Sequence, residues 1–172
     1  MFQPRYRLRS FGRSLPLNLA TLQVLLGALV DLDRLILRTT PGIPPIYRSG
    51  VRYVRDAPGQ EDWCDILEIV AQGYADCKSF AAWRVAELRE NGIAARCDIT
   101  QPRLLPGGVL LYHIRVLFPD GHIEDPSIAL GMGVHNAVSR PPSFAPGRRS
   151  LRAFAAQQAQ LHGFFRPAAW YA

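Results

Sequence analysis

The segment from Asp76 to Gly92 predicts a helix over residues 77–91 with both of its ends marked. Aspartate commonly caps a helix N-terminus, and glycine readily takes the left-handed conformation just beyond a C-terminus. The interior is rich in Ala, Glu, Leu and Arg, which favour helix. Apolar residues at helical spacing define the face expected to be buried: Cys77, Ala81, Val85 and Leu88. The sequence therefore places Cys77 in the first helical turn, facing the core.

After this helix the sequence predicts an antiparallel sheet. Short runs of β-branched and aromatic residues between turn signals are typical of strands. Three strands are expected, over residues 93–100, 109–118 and 122–125. A loop at residues 102–108 separates the first two, and a turn at residues 119–121 separates the last two. A helix followed by antiparallel strands indicates an α+β fold with the helix packed on the sheet.

The turn at residues 119–121 determines which side chains of the last two strands face each other. A three-residue loop is expected, with Gly121 in the left-handed conformation that such loops prefer. In that register Arg115 lies opposite Asp125, and His113 is the diagonal neighbour of Asp125 on the same face. Diagonal neighbours lie about 7–8 Å apart, which a histidine and an aspartate can bridge by a hydrogen bond. A two-residue loop would put them on opposite faces.

Cys77, His113 and Asp125 have the residue types of a nucleophilic catalytic triad. A cysteine attacks as its thiolate, which the positive potential and free N–H groups of a helix N-terminus favour. Asp125 is expected to orient His113, and His113 to pair with Cys77. Backbone N–H groups at the helix start would stabilise an oxyanion. The alternative for Cys77 is a small buried core residue, which is the commoner role of cysteine.

The residues around these three positions resemble the transglutaminase-like family of the papain-like cysteine protease superfamily. The run DCKSFAAW at residues 76–83, continuing to LRENGIAAR at residues 88–96, is similar to its cysteine helix. Tyr112 with His113 and the run EDPS at residues 124–127 are similar to its histidine strand and its Asp-Pro-Thr type strand. The resemblance covers residues 63–130. It implies a papain-like α+β core with Cys77 as nucleophile, His113 as general base and acid, and Asp125 as orienting group.

The chain looks most like the small transglutaminase-like proteins encoded by tailed phages and prophages. It departs from the family pattern at Ala75, where glycine is common, and at Ile114 and Arg115, where an aromatic residue is expected. These departures indicate a different substrate cleft or a decayed site. Gln72, a few residues before Cys77, is a candidate oxyanion donor. A solvent-facing glutamine at a helix end is the alternative reading of Gln72.

The predicted function is cysteine-dependent acyl transfer at an amide bond of a protein or peptide substrate, as a peptidase, an amidase or a transglutaminase-type enzyme. Nothing in the sequence decides whether water or an amine releases the acyl group. The alternative is a non-catalytic structural or assembly protein of a phage particle that keeps the fold. Its N-terminal helix and arginine-rich arms would then bind neighbouring subunits. Either reading indicates a cytoplasmic or virion-associated protein of a bacterial host.

The N-terminal region predicts a long and unusually apolar helix. Asn18 is a candidate cap, and leucines recur at helical spacing over residues 18–38. Such a helix must cover the core or contact another chain. Its uninterrupted apolar part is shorter than the ~20 residues of a membrane span, so no span is expected, with export as the lesser alternative.

The formal net charge is +6, and Lys78 is the only lysine, so arginine supplies almost all of the positive charge. Arginines near both ends suit an acidic partner. However, no zinc knuckle, helix-turn-helix pattern or aromatic RNA-binding strand accompanies them, so nucleic-acid binding ranks last. The alternative to an acidic partner is that the arginines serve solubility.

The three cysteines, Cys64, Cys77 and Cys97, are an odd set without paired spacing, which argues against a disulfide scaffold and favours a reducing compartment. Without a Cys-x-x-Cys or His-x-x-x-His pair, no metal and no cofactor are expected.

Asp62 is expected to cap a short helix that breaks at Gly73. The expected organisation is a basic arm with a leucine-rich helix at residues 1–45, a transglutaminase-like core at residues 46–133, and a Pro/Arg-rich extension at residues 134–172.

Overall fold

A computed structural model describes residues 14–56, 61–106 and 110–133. The helices are α1 (Leu15–Thr39), a 3-10 turn (Ile46–Arg48), α2 (Ile66–Gln72), α3 (Cys77–Glu90) and α4 (Pro126–Ala129). The strands are β1 (Arg52–Tyr53), β2 (Tyr74–Ala75), β3 (Arg96–Leu104), β4 (Leu110–Leu117) and β5 (Ile123–Glu124). The arginine-rich arm before residue 14 and the Pro/Arg-rich extension at residues 134–172 lie outside the described residues.

The predicted α+β class is confirmed as a mixed helix-and-sheet fold. Strands β3, β4 and β5 form an antiparallel sheet in that order, while β1 and β2 form a separate parallel pair. Helices α1 and α3 pack together, α3 contacts β4, and α1 contacts β3. The long N-terminal helix therefore covers the same core as α3.

Both predicted ends of α3 are confirmed. The Asp76 side chain caps its start by accepting a hydrogen bond from the backbone N–H of Ser79, and Gly92 has φ +80° just past its end. The predicted apolar face lies in one core cluster with α1 and β4. Phe80 and Trp83, which were not part of the predicted face, also pack in a second cluster, with residues of the 3-10 turn and α2. Helix α3 is therefore buried on two sides.

Helix α1 begins earlier than predicted, and the assignment of Asn18 as its cap is wrong. Ser14 is the cap, with its hydroxyl oxygen 3.4 Å from the backbone nitrogen of Leu17. Pro16 lies in the first turn, where its fixed φ suits a helix and its missing N–H costs nothing. Asn18 is instead buried inside the helix. The cap lies on the N-terminal side of the proline rather than after it.

The side of α1 that faces away from α3 remains partly apolar. Val24 is 71% exposed and Leu35 is 56% exposed, whereas Leu22, Leu26 and Leu29 are buried in the core. Among the described residues, α1 is the one helix long and apolar enough to cross a membrane by length and composition. Core helices of soluble proteins pass the same test, and α1 packs on α3 here.

Two further predictions need correction. Helix α2 is capped by Asp65, not by Asp62, because the Asp65 carboxylate accepts a hydrogen bond from the Glu68 backbone N–H at 3.0 Å. Its predicted end at Gly73 is confirmed, with φ +83° there. Strand β3 starts later than predicted and continues into the expected loop at residues 102–108.

The extension of β3 depends on its position at the edge of the sheet. The pairing with β4 shifts between Thr100 and Arg103, and Gln101 has φ +50°. Such a bulge, together with an edge position, accommodates Pro102, which has no N–H for a ladder. The sequence predicted that a loop begins at this proline, whereas the proline lies within the edge strand β3.

The predicted register of the β4–β5 hairpin is confirmed. Val116 pairs with Glu124 and Leu117 pairs with Ile123, while the Phe118 N–H donates to the His122 carbonyl at 2.9 Å. The loop between Phe118 and His122 is therefore three residues long, with Gly121 at φ +87°. This register brings the side chains of His113 and Asp125 to the same face.

Asp33 joins α1 to the start of α2. Its carboxyl is fully buried, and its Oδ1 atom accepts a hydrogen bond from the Ile66 backbone N–H at 3.0 Å. Burial raises its pKa from 3.8 to about 8, despite this hydrogen bond. Because the unfolded chain releases the proton near pH 4 while the folded chain holds it to about pH 8, stability falls as the pH rises across that window.

Replacing Asp33 by Asn should remove much of this pH dependence. Asparagine keeps an oxygen for the Ile66 N–H but carries no titrating proton. Between pH 5 and pH 8 the wild type should lose up to about 4 kcal/mol more unfolding free energy than Asp33→Asn. Urea unfolding at both pH values measures this difference. Exposed Asp31, replaced by Asn, is the matched control, and an equal pH dependence in Asp33→Asn and wild type would contradict the assignment.

Candidate active site

His113 and Asp125 form a direct pair on one face of the hairpin. The Nε2 atom of His113 lies 2.7 Å from the Oδ2 atom of Asp125, and both side chains are partly buried. An ionised carboxylate accepts hydrogen bonds and donates none, so this contact favours the imidazole tautomer that carries its proton on Nε2. The other ring nitrogen, Nδ1, then keeps its lone pair and can act as a base.

Asp125 is itself held by the backbone. Its Oδ1 atom accepts hydrogen bonds from the N–H groups of Ser127 at 3.0 Å and Ile128 at 3.3 Å, so it is the N-cap of α4. The short helix α4 was not predicted, although aspartate followed by proline at the first helical position is a recognised start signal. One carboxylate thus caps a helix and orients a histidine.

An ion pair ties the hairpin to α3. Both carboxylate oxygens of Glu124 accept hydrogen bonds from the Arg84 guanidinium, at 2.7 and 3.2 Å, and the Tyr47 hydroxyl donates to the same carboxylate. Fork-to-fork pairing of this kind fixes geometry as well as supplying energy. Because Glu124 adjoins Asp125, the helix that begins with Cys77 also holds the strand end that carries Asp125. Sequence reasoning missed this pair, which joins residues far apart in the chain.

Cys77 is the first residue of α3 and lies near the backbone of β4. The Ile114 backbone N–H, which belongs to the peptide bond that directly follows His113, acts to lower the pKa of the Cys77 thiol. Within the described part of the chain, no hydrogen bond joins the Cys77 sulfur to the His113 ring. The structure therefore brings His113 and Asp125 into direct contact and leaves the Cys77 thiol near the backbone of β4, without a bond to the histidine ring.

The surroundings of Cys77 favour its protonated form. The thiol is 7% exposed, and burial, followed by the negative charge of Asp76, raises its pKa from 9.0 to about 12. The Ile114 N–H and the Lys78 ammonium act in the opposite direction, and Glu61 adds to the rise. The expectation that the helix N-terminus would favour a thiolate is not met in this arrangement, because burial outweighs it.

Beside the thiol, Lys78 is fully buried among three carboxylates. Its Nζ atom lies 2.5 Å from Asp56 and 3.3 Å from Glu61, and it also pairs with Asp76. Ligand atoms of these carboxylates lie within 4.8 Å of one another, close enough to share a cation. The Lys78 ammonium contacts all three, so it already supplies the positive charge that such a cluster needs. This cluster has no pattern in the sequence that would have revealed it.

Three aromatic side chains lie near Cys77 and Lys78. Tyr53, Trp63 and Tyr112 are partly buried and pack against the core cluster that contains Cys77. The Tyr112 hydroxyl donates to Glu61 at 2.7 Å, and the Lys78 ammonium lies 5.8 Å from the centre of the Trp63 ring. Burial and the nearby sulfur raise the pKa of Tyr53 to about 12. Tyr53 and Tyr112 therefore lie near the Cys77 thiol.

Gln72 is engaged elsewhere. Its side-chain nitrogen donates to the Tyr74 carbonyl at 2.7 Å and to the Cys64 sulfur at 3.4 Å. Its amide hydrogens point at these two groups, so the candidate oxyanion donors are instead the backbone N–H groups at the start of α3.

Cys64 and Cys97 are partly buried thiols, and burial raises their pKa values to about 11 and about 12.

The chain was compared with known proteins in three ways. A scan against protein-family models, a search of curated proteins and a search of solved structures each found no match. The function is therefore argued from the geometry and chemistry of this site.

In the resting protein Cys77 should react slowly with iodoacetamide. Because the thiolate is the reactive form, labelling at pH 8 should be at least about 100-fold slower than for the same thiol in urea-unfolded protein, and should rise with pH. Mass spectrometry of the labelled peptides gives the rate at each cysteine. Labelling of Cys77 at pH 7 as fast as in the unfolded chain would contradict a buried, protonated thiol.

Proposed function

We propose that this chain is a cysteine-dependent enzyme that transfers an acyl group from an amide bond, with a transglutaminase-like, papain-like core. The observation that carries the proposal is the 2.7 Å pair between His113 Nε2 and Asp125 Oδ2. The Cys77 thiol lies near the peptide N–H that follows His113. A nucleophile, a base and a group that orients the base are the three parts of a triad. A protein or peptide of the bacterial host or of a phage particle is the proposed substrate.

The arrangement of elements supports the proposed core. A helix that begins with the nucleophile packs on an antiparallel sheet, the central strand β4 carries His113, and the chain leaving β5 carries Asp125. The resemblance of residues 63–130 to the transglutaminase-like family rests on the same residues. Its small members in tailed phages and prophages make a cytoplasmic or virion-associated location the proposed one.

The proposed reaction begins with proton transfer from the Cys77 thiol to Nδ1 of His113. Asp125 stabilises the imidazolium that forms, and the thiolate attacks the amide carbonyl carbon. Backbone N–H groups at the start of α3 stabilise the oxyanion. His113 then returns the proton to the leaving amine as the carbon–nitrogen bond breaks, which leaves a thioester on Cys77. Water releases a carboxylic acid from it, or an amine releases a new amide.

Cys77 must come within hydrogen-bond reach of His113 before it can react. In the resting arrangement its sulfur is buried near the Ile114 backbone N–H, and within the described residues it makes no hydrogen bond to the histidine ring. A bound substrate that excludes water would strengthen the thiolate–imidazolium attraction, since charges attract more strongly at low dielectric.

A structural or assembly role in a phage particle is the second candidate function. It is favoured by the burial and high pKa of Cys77 and by the exposed apolar side chains Val24 and Leu35 on α1. In that case Cys77, His113 and Asp125 would be kept as structural residues of the fold without a catalytic role, and neighbouring subunits would cover α1. A Cys77→Ala variant would then keep the assembly function, whereas an enzyme would lose its activity.

An activated ester tests the catalytic proposal without knowledge of the substrate. Wild-type protein incubated with p-nitrophenyl acetate should form an acetyl thioester on Cys77, detected by intact mass and peptide mapping. His113→Ala should reduce this rate by about 100-fold or more, since general base catalysis contributes that much. The exposed His122, replaced by Ala, is the matched control and should leave the rate unchanged. Equal acetylation of Cys77 in His113→Ala and wild type would contradict the proposed pair.

A further inference from the structure

The chain has one lysine, Lys78, and buries it completely. The ammonium joins separate stretches of the chain: Asp56 and Glu61 precede α2, while Asp76 caps α3. A fully buried cation is costly unless it is paired, and this one has three carboxylate partners. Three negative charges around one positive charge leave the cluster negative overall, directly beside the residue that follows Asp76, which is Cys77.

The charges of this cluster act on the Cys77 sulfur in opposite directions. Asp76 and Glu61 disfavour a second negative charge nearby, whereas Lys78 favours it. Without its ammonium, a thiolate at position 77 would form next to uncompensated carboxylates.

We propose that Lys78 is a positioning residue for the proposed reaction, whose ammonium offsets the carboxylates of Asp76 and Glu61 and so permits a thiolate at Cys77. The inference rests on the proposed role of Cys77 as nucleophile. The charged and titratable groups that surround this thiol are Asp76 and Lys78 of α3, Asp56 and Glu61 before α2, Tyr53 of β1, and Tyr112 and His113 of β4.

A purely structural role for Lys78 predicts the opposite result from an electrostatic role. As a clamp, Lys78 holds the segment that carries Glu61 and Trp63 against the start of α3. Loss of a clamp would loosen this cover and speed the reaction of Cys77 with a small reagent. Loss of a counter-charge would raise the cost of the thiolate and slow the same reaction. The sign of the change therefore separates the two roles.

The test is the iodoacetamide labelling rate of Cys77 in Lys78→Met and Lys78→Arg at pH 9, where the surrounding carboxylates are ionised. Lys78→Met should label about three- to tenfold more slowly than wild type, since tenfold corresponds to one pKa unit, and Lys78→Arg should stay close to wild type. Cys64 and Cys97 in the same protein serve as internal references. Faster labelling of Cys77 in Lys78→Met would overturn the proposal.

A second pair of variants covers the case in which Lys78→Met does not fold. Glu61 is largely accessible, with 46% of its side chain exposed, so Glu61→Gln and Glu61→Lys should both fold. Both lose the carboxylate that binds Lys78 and Tyr112, and they differ by one positive charge. Glu61→Lys should label Cys77 about threefold faster than Glu61→Gln, because the added charge favours the thiolate. Equal rates would overturn the electrostatic role.

These outcomes are independent of the acyl-transfer test. If His113→Ala leaves acetylation of Cys77 unchanged while Lys78→Met still slows labelling, the proposed enzyme function fails and the counter-charge stands. If acetylation depends on His113 but Lys78→Met speeds labelling, the enzyme function stands and Lys78 is only a clamp.

Discussion

Helix α3 is the element against which the rest of the described structure packs. Helix α1 and strand β4 cover one side of it, and the 3-10 turn and α2 cover another. The start of α3, where Asp76 caps the helix and Cys77 begins it, is buried with the rest of the helix. The position of the thiol is therefore a consequence of core packing, and so is its burial.

The hairpin supplies the other half of the site. A three-residue turn with Gly121 in the left-handed region sets a register in which His113 and Asp125 share a face. The Asp125 carboxylate then has one oxygen for the histidine and one for the start of α4. Because Glu124 is anchored to Arg84 of α3, the hairpin and α3 cannot move apart without breaking a partly buried ion pair.

The local parts of this architecture were predictable from the sequence, and the long-range parts were not. The ends of α3 and the β4–β5 register follow from capping residues and turn chemistry, which act over a few residues. The Lys78 cluster joins residues such as Asp56 and Asp76 that have no shared spacing. The extension of β3 past Pro102 depended on an edge position that only the assembled sheet defines. The raised pKa of Cys77 likewise comes from burial, which outweighs the local effect of a helix N-terminus.

The central claim is that Asp125 prepares His113 to act as a base towards Cys77. Nitrogen-15 NMR of histidine-labelled protein, assigned with a His113→Ala variant, measures which ring nitrogen of His113 carries the proton when the imidazole is neutral. The 2.7 Å contact predicts a proton on Nε2 and a free lone pair on Nδ1. A proton on Nδ1 would contradict the claim, because the basic nitrogen would then face the carboxylate and leave the thiol without a proton acceptor.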